Sequence, residues 1–328
     1  MSDALQLPVV DLSSPDRFST ANSIRQACTD HGFFYLVNHG VDEEVIHKVF
    51  EQSSNFFTFP IEEKMKLVKK NHRDYTSLYA EKLDTSLSTK GDSKESFYVG
   101  PPEDGLNQWP SEEDMPSWRS TMETYYQKVL SAGTKLLSLI ALSLKLDEDF
   151  FRKVGALNEP FASLRLLHYP GDLDSYSEGI YGASAHSDYG MITLLVTDGV
   201  PGLQICRDRS KQPPFWEDVP SMKGAFIVNI GDTMERWTNC LFRSTLHRVL
   251  LPRQERYSVA FFMNPSKDWV VECLESCCSE ACPPRFPPIK YIDYLEERLR
   301  VTYGVWLKLC ISIFQPHFCS RICRHCNQ

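Results

Sequence analysis

Three residues in the second half of the chain have the types and spacing to hold one metal ion. His186-Ser187-Asp188 sets an imidazole and a carboxylate two residues apart, and in a strand residues i and i+2 project from one face. A third ligand must come from elsewhere, and His247, in the strand candidate Leu246–Leu251, supplies it. Two histidines and one carboxylate form a facial donor set suited to Fe(II), which leaves positions for O2 and a second ligand. Nine residues beyond His247 come Arg256 and then Ser258, again two apart. An arginine offers a planar fork to a carboxylate, and a hydroxyl adds one more donor. A dicarboxylate would be anchored at its far end by this pair while its near end chelates the metal. An H-x-D pair alone occurs by chance in many chains, and a lone strand arginine is usually a solvated charge. The ordered set His186, Asp188, His247, Arg256, Ser258 within one region is what carries the reading.

The elements that must position these residues are short. From about Ala162 the chain runs in Val-, Ile-, Thr- and Phe-rich segments broken by Gly, Pro and Asp: Ser163–Leu167, Met191–Val196, Ala225–Ile230, Leu246–Leu251 and Ser258–Met263. That rhythm predicts a β-sandwich or barrel-like sheet. The first half reads differently. Leu7–Leu12 and Phe33–Val37 are strand candidates, whereas Ala21–Thr29, Asp42–Phe56, Ile61–Lys70 and Met122–Leu146 have helical spacing. The expectation is a helical first part leaning on an all-β second part. His168 offers itself as a fourth ligand, but its neighbour faces the core, so it is expected to point outward. His31 and His39 flank a buried-looking strand and read as structural.

Composition narrows the function classes. The 328 residues are 42% hydrophobic and 24% charged, with a formal net charge of −8. That apolar fraction excludes a disordered chain, and the acidic balance argues against nucleic-acid binding. The N-terminus lacks the basic and apolar regions of a secretory signal, and no apolar run reaches membrane-spanning length. A soluble, cytoplasmic protein with reduced thiols is therefore expected, acting as a monomer on a small molecule. No repeat or low-complexity linker divides the chain.

The block running from His186 through Gly190-Met191-Ile192-Thr193, with Gly202-Leu203-Gln204 and Trp216, resembles the catalytic domain of 2-oxoglutarate- and Fe(II)-dependent dioxygenases. Within that clan it is similar to the isopenicillin N synthase-like group that includes many plant enzymes. Asn229-Ile230-Gly231-Asp232, Ser244-Thr245-Leu246-His247 and Arg256-Tyr257-Ser258 continue the match. The N-terminal stretches at Leu7-Pro8-Val9-Val10, Gly32-Phe33-Phe34-Tyr35 and Lys94-Glu95-Ser96-Phe97 agree as well, so the likeness covers about residues 7–303. It implies a mainly β fold with flanking helices: a double-stranded β-helix, the jelly-roll or cupin-like core, with a helical N-terminal region. The implied organisation is an N-terminal region 1–115, a long helical segment 116–155, the catalytic core 156–290, a C-terminal helix 291–303 and an atypical tail 304–328.

The resemblance further implies that His186, Asp188 and His247 are the iron ligands and catalytic centre. Arg256 and Ser258 would bind the distal carboxylate of 2-oxoglutarate. Tyr169 would reach the co-substrate, although Leu167 stands where the family carries Asn. The cofactors would be Fe(II), 2-oxoglutarate and O2, with ascorbate as a reductant. The reaction would oxidise, foremost hydroxylate, a small organic metabolite with release of succinate and CO2. Phe97, Tyr98, Tyr189, Phe262 and Met263 lie near motifs that border the substrate pocket in related folds, with core packing as their competing role. An oxidase of the same clan without 2-oxoglutarate, and a non-catalytic jelly-roll binding protein, are the alternatives.

Eight of the eleven cysteines lie from Cys273 onward. Cys319-x3-Cys323-x2-Cys326 has the spacing of an iron–sulfur motif, but no barrel follows it. A zinc knot from His317, Cys319, Cys323 and Cys326 is chemically allowed yet lacks glycine turns. The likeness stops near Tyr303, and the tail reads as the product of an alternative transcript or gene-model boundary. Cys273, Cys277, Cys278 and Cys282 read as loop or small core residues.

Overall fold

The computed structural model describes residues 6–69, 73–85, 91–171, 181–208 and 210–303. In chain order these form β1 (Val9–Asp11), α1 (Arg17–Asp30), β2 (Phe33–Val37), α2 (Glu43–Phe57), α3 (Ile61–Met65), β3 (Asp74–Thr76) and β4 (Glu95–Val99). Then come α4 (Trp118–Ser143), α5 (Phe150–Lys153), β5 (Ser163–Tyr169), β6 (Tyr181–His186), β7 (Ile192–Thr197) and β8 (Leu203–Asp208). The chain continues through β9 (Phe215–Asp218), β10 (Phe226–Ile230), α6 (Asp232–Trp237), β11 (His247–Leu250), β12 (Arg256–Met263) and α7 (Tyr291–Tyr303). Tail residues 304–328, with the proposed cysteine motif and zinc knot, lie outside the described residues. Among the described residues, no helix is long and apolar enough to cross a membrane.

Two sheets face each other in a jelly roll. The larger has the order β1-β2-β10-β7-β12-β5-β4-β3 and the smaller β6-β11-β8-β9. The expected division into a helical half and a β half is corrected here. Strands β1 to β4 belong to the same sheet as the second half, because β2 pairs with β10 and β4 with β5. A strand needs partners for its backbone groups, and these short segments find them only across the chain.

Period-two alternation sorts the side chains of the large sheet. Phe33 and Tyr35 of β2, Leu167 and Tyr169 of β5, Ile227 of β10 and Ala260 of β12 face the small sheet and form an inner core with Ala183, Ile205 and Val249. Their sequence neighbours Phe34, Leu166, Val228, Val259 and Phe261 face outward into a second, larger core beneath the helices. Helix α2 starts on Glu43 and Glu44, acids that suit its N-terminal dipole, and buries Val49, Phe56 and Phe57. The 26-residue α4 buries Met122, Tyr125, Val129, Leu136 and Ile140 at helical spacing. It can approach the sheet because Gly133 has no side chain: a Cβ there would lie 1.9 Å from Sδ of Met263.

Helix α3 is shorter than the periodicity to Lys70 suggests. Beyond it the backbone runs beside β3, with the Tyr75 amide donating to Leu67 (2.8 Å) and the Lys69 amide to Tyr75 (2.7 Å). Backbone bonds to a strand outcompete one further helical turn.

Candidate active site

The two candidate histidines are cross-strand partners: His247 opens β11 and sits opposite His186, the last residue of β6. Asp188 lies just past the end of β6, in the loop to β7, so the expected in-strand pair is instead a strand end and its loop. The three side chains nevertheless converge. Asp188 Oδ1 lies 3.9 Å from Nε2 of His186 and 3.7 Å from Nε2 of His247. One ligand atom from each residue falls within 4.8 Å of the others, and among the described residues no other three His, Cys, Asp or Glu side chains do so.

The surrounding bonds leave the right atoms available. Nδ1 of His186 donates to the Ser184 carbonyl (2.7 Å) and Nδ1 of His247 to that of Thr245 (3.1 Å). Each ring therefore turns its Nε2 toward Asp188. Burial first, and repulsion from His247 second, push the His186 imidazole down to about 4, so it stays neutral near pH 7. Burial opposes ionisation of Asp188, but the two histidines, Thr193 and Asn229 outweigh it and hold the carboxyl below its usual value. Thr193 Oγ1 (2.6 Å) and Asn229 Nδ2 (2.8 Å) both donate to Asp188 Oδ2, leaving Oδ1 to face the imidazoles. Two imidazole nitrogens, that of His186 neutral, beside an ionised carboxylate oxygen match the needs of a divalent metal such as Fe(II).

Gly231 sets the loop. Its amide donates to Met191 and the Asp232 amide to the Asp188 carbonyl (2.7 Å). A Cβ at Gly231 would lie 2.3 Å from the Gly190 carbonyl oxygen, so no larger residue fits. Asp232 then accepts from Ser187, Ser244 and Tyr294, which ties the loop to α7.

A small chamber of about 70 Å³ connects the triad with Arg256, Ser258 and Tyr169. Strand pairing builds it, with Arg256 opposite Tyr169 and Ser258 between Leu167 and Thr197. Arg256 is 1% exposed. Its Nε donates to the Val200 carbonyl (3.1 Å) and its centre lies 4.9 Å from the Tyr169 ring, yet among the described residues Nη1 has no partner. A buried arginine nitrogen without an acceptor is costly, and a ligand carboxylate in this chamber would relieve it. Donors and chamber thus fit 2-oxoglutarate. Tyr169 contributes its ring to Arg256.

A second cavity of about 120 Å³ opens beside the first and shares Leu83, Arg165, His186, Asp188 and Phe262 with it. Of the five aromatic or sulfur side chains expected near substrate, Tyr98, Tyr189 and Phe262 line this cavity. Phe97 and Met263 do not, which corrects that expectation. Each is one residue out of phase with its strand's inner face: Phe97 packs on Phe56 and Trp118, and Met263 on α4. His168 does point away from the chamber, but under α2 and not into solvent. It stacks on Phe57 and Tyr257 and bridges Glu95 and Glu255, both at 2.8 Å. His31 bonds Arg207, and His39 packs against Phe226 away from the triad. Cys277 packs against the outer core, and Cys282 is exposed.

Sequence reasoning missed Thr193, Asn229, Leu83, Lys69, Glu81 and Arg165. Polar residues inside the apolar runs of β5, β7 and β10 were the available signal for Arg165, Thr193 and Asn229. Nothing local marks the other three, which come from the first half of the chain.

Comparison with known proteins agrees with this geometry. Residues 7–112 match the family model of the N-terminal region of the non-haem dioxygenase in morphine synthesis, and residues 160–265 that of the 2OG-Fe(II) oxygenase superfamily. The chain is 40% identical over 313 residues to kihadalactone A synthase of Citrus sinensis, covering 90% of this chain and 91% of that protein. It is 38% identical to azadirone synthase of Melia azedarach, covering 89% and 91%. The crystal structure of a full-length Neurospora crassa protein in complex with alpha-KG superimposes with a TM-score of 0.80 at 27% identity, over 91% of this chain and 97% of that one. The His-Asp-His group and the adjoining chamber can hold the iron and 2-oxoglutarate that the matching superfamily is named for, and relatives of this identity span nearly the whole chain. The protein therefore belongs to the 2OG-Fe(II) oxygenase superfamily and is a 2-oxoglutarate-dependent dioxygenase.

Proposed function

We propose that His186, Asp188 and His247 hold Fe(II), that Arg256 and Ser258 bind the distal carboxylate of 2-oxoglutarate beside Tyr169, and that a small organic metabolite is hydroxylated in the adjoining cavity. The observation that carries this reading is the unpaired Nη1 of Arg256, buried in the chamber that also contains the triad. When bound, the metal with its co-substrate supplies the redox chemistry: decarboxylation of 2-oxoglutarate to succinate and CO2, coupled to oxidation of a C–H bond by O2.

The protein's own contribution is orientation and exclusion. The Ser184 and Thr245 carbonyls fix the tautomers of the two histidines. Thr193 and Asn229 hold one oxygen of Asp188 and so select the other as ligand. The edge of Phe33 packs on the His247 ring at 5.5 Å between centroids, which limits its rotation. Leu83 and Phe262 stand where the two cavities meet and keep bulk water from the junction. The names of the plant relatives, synthases of kihadalactone A and azadirone, support a small organic substrate.

The test measures iron content after anaerobic loading, and succinate release in the presence of metabolite pools. The wild-type chain should bind one iron and release succinate in step with product. His247→Ala should lose both, and a His247→Ala protein with full turnover would overturn the assignment.

A further inference from the structure

The substrate-side cavity is built mainly from apolar and aromatic walls such as Leu83, Phe161, Phe262 and Leu299. Its charges are distributed unevenly. Arg73 is paired with Asp104. Glu81 is committed to other donors: it accepts from Arg165 (2.7 Å), Lys94 (2.9 Å) and Tyr303 (2.6 Å). Lys94 also pairs with Asp92 at 2.6 Å. These contacts leave Lys69 as the cavity's surplus cation.

Its Nζ lies 3.8 Å from the centroid of the Tyr303 ring and 4.8 Å from that of Tyr98, and among the described residues no carboxylate pairs with it. Ring faces recover only about 1–2 kcal/mol for a cation. They replace only part of the hydration lost at this half-buried position. Arg165 reaches the same place: its guanidinium is 4.5 Å from the Tyr98 ring, and among the described residues its buried Nε has no partner. One surplus positive charge and the guanidinium of Arg165, both at Tyr98 and both from residues that line the cavity beside the triad, match a singly charged anion.

We propose that Lys69, assisted by Arg165, anchors a carboxylate on the substrate, so that this enzyme prefers apolar molecules bearing one carboxylic acid. The inference rests on the reading of this cavity as the substrate site. The carboxylate would complete an ion pair that the fold leaves open, while the apolar body of the molecule packs against Phe161, Phe262 and the leucines. The amine's titration is consistent with this role. Burial first pushes Lys69 down to about 7, Arg165 acting in the same sense and Glu81 against it. Tyr98 of β4 and Tyr303 of α7 face the amine with their rings. An incoming anion favours the charged amine, so binding near pH 7 should draw a proton from solution.

The test uses the full chain loaded anaerobically with Mn²⁺ and saturating 2-oxoglutarate. The probes are cyclohexylacetate, phenylacetate and 1-naphthylacetate, each beside its methyl ester, with affinities measured calorimetrically in buffers of different ionisation enthalpy. At least one acid should bind about tenfold or more tightly than its ester, as one charged hydrogen-bonded contact provides, with fractional proton uptake at pH 7. Lys69→Met should bring acid and ester within about twofold of each other, and Lys69→Arg should keep the preference. Esters that bind as well as acids in the wild type, or an acid preference unchanged in Lys69→Met, would overturn the proposal. Affinity for 2-oxoglutarate is measured in parallel. If it is normal while acids gain nothing, this inference alone fails; if it is absent, the reading of the whole site fails.

Discussion

Replacing Arg256 by methionine separates a binding arginine from a structural one. Arg256 is 1% exposed, and among the described residues it has no carboxylate partner and only its Nε is hydrogen-bonded, at 3.1 Å from the Val200 carbonyl. Exchanging such an incompletely paired buried charge for an apolar side chain of similar length is neutral or stabilising by about 1–3 kcal/mol. Ligand-free Arg256→Met should therefore melt at or above the wild-type temperature. Its response to 2-oxoglutarate should be the reverse. Two charge-assisted bonds from one fork contribute about 3–4 kcal/mol, which is roughly 10²–10³ in Kd. Wild-type protein at a hundredfold excess of ligand over Kd gains about 2.7 kcal/mol, or about 4 °C for a chain of this size. At the same concentration the variant should gain about 0.4 kcal/mol or less. The assay is a thermal melt under anaerobic conditions with Mn²⁺, with 2-oxoglutarate titrated. An undiminished ligand-dependent shift in the variant would refute the reasoning. So would a ligand-free variant several degrees less stable, because the arginine would then be part of the fold's own support.

Three further outcomes follow from the same contacts. Asn229→Ala removes one of two donors to Asp188 Oδ2 and should weaken metal binding about 10–100-fold, read by competition with a chelator, while the far-ultraviolet spectrum is retained. Glu95 is held below its usual value by His168, Lys64 and Tyr75 despite opposing burial. A depressed folded-state value adds stability above the unfolded carboxyl's value of about 4.5, and this is lost as pH falls through the folded value. The melting temperature should thus drop below about pH 4.5, and Glu95→Gln should be less stable at pH 7 by about 3 kcal/mol, with a flatter acid limb; an unchanged acid limb would count against the network. Deleting residues 304–328 should leave metal and 2-oxoglutarate binding intact, since Thr302 and Tyr303 still reach Tyr189 and Glu81; calorimetry showing loss of either ligand would contradict this.

The chemistry of this protein was legible where it obeys local periodicity. Arg256 and Ser258, spaced at two residues, share one face of β12 whichever strands surround it, whereas His186 and Asp188, spaced alike, stay together through a strand end and its loop. The same rule, applied strictly, would have removed Phe97 and Met263, since Ser96, Tyr98 and Phe262 share the inner phase of β4 and β12. The helical periodicity of α2 and α4 was equally visible because an apolar stripe must find a core.

What the tertiary structure decided is everything that depends on which strands pair. Thr193 and Asn229 meet Asp188 because β7 and β10 lie side by side in that register. Glu81, Leu83 and Lys69 reach the site from the first half because β3 and β4 extend the large sheet past β5. The stacking of His168 between Phe57 and Tyr257 likewise needed α2 in place. Local spacing determines which groups share a face. Contacts across a hundred residues of chain come from backbone hydrogen bonding and burial of the whole sheet, and these decide what that face meets.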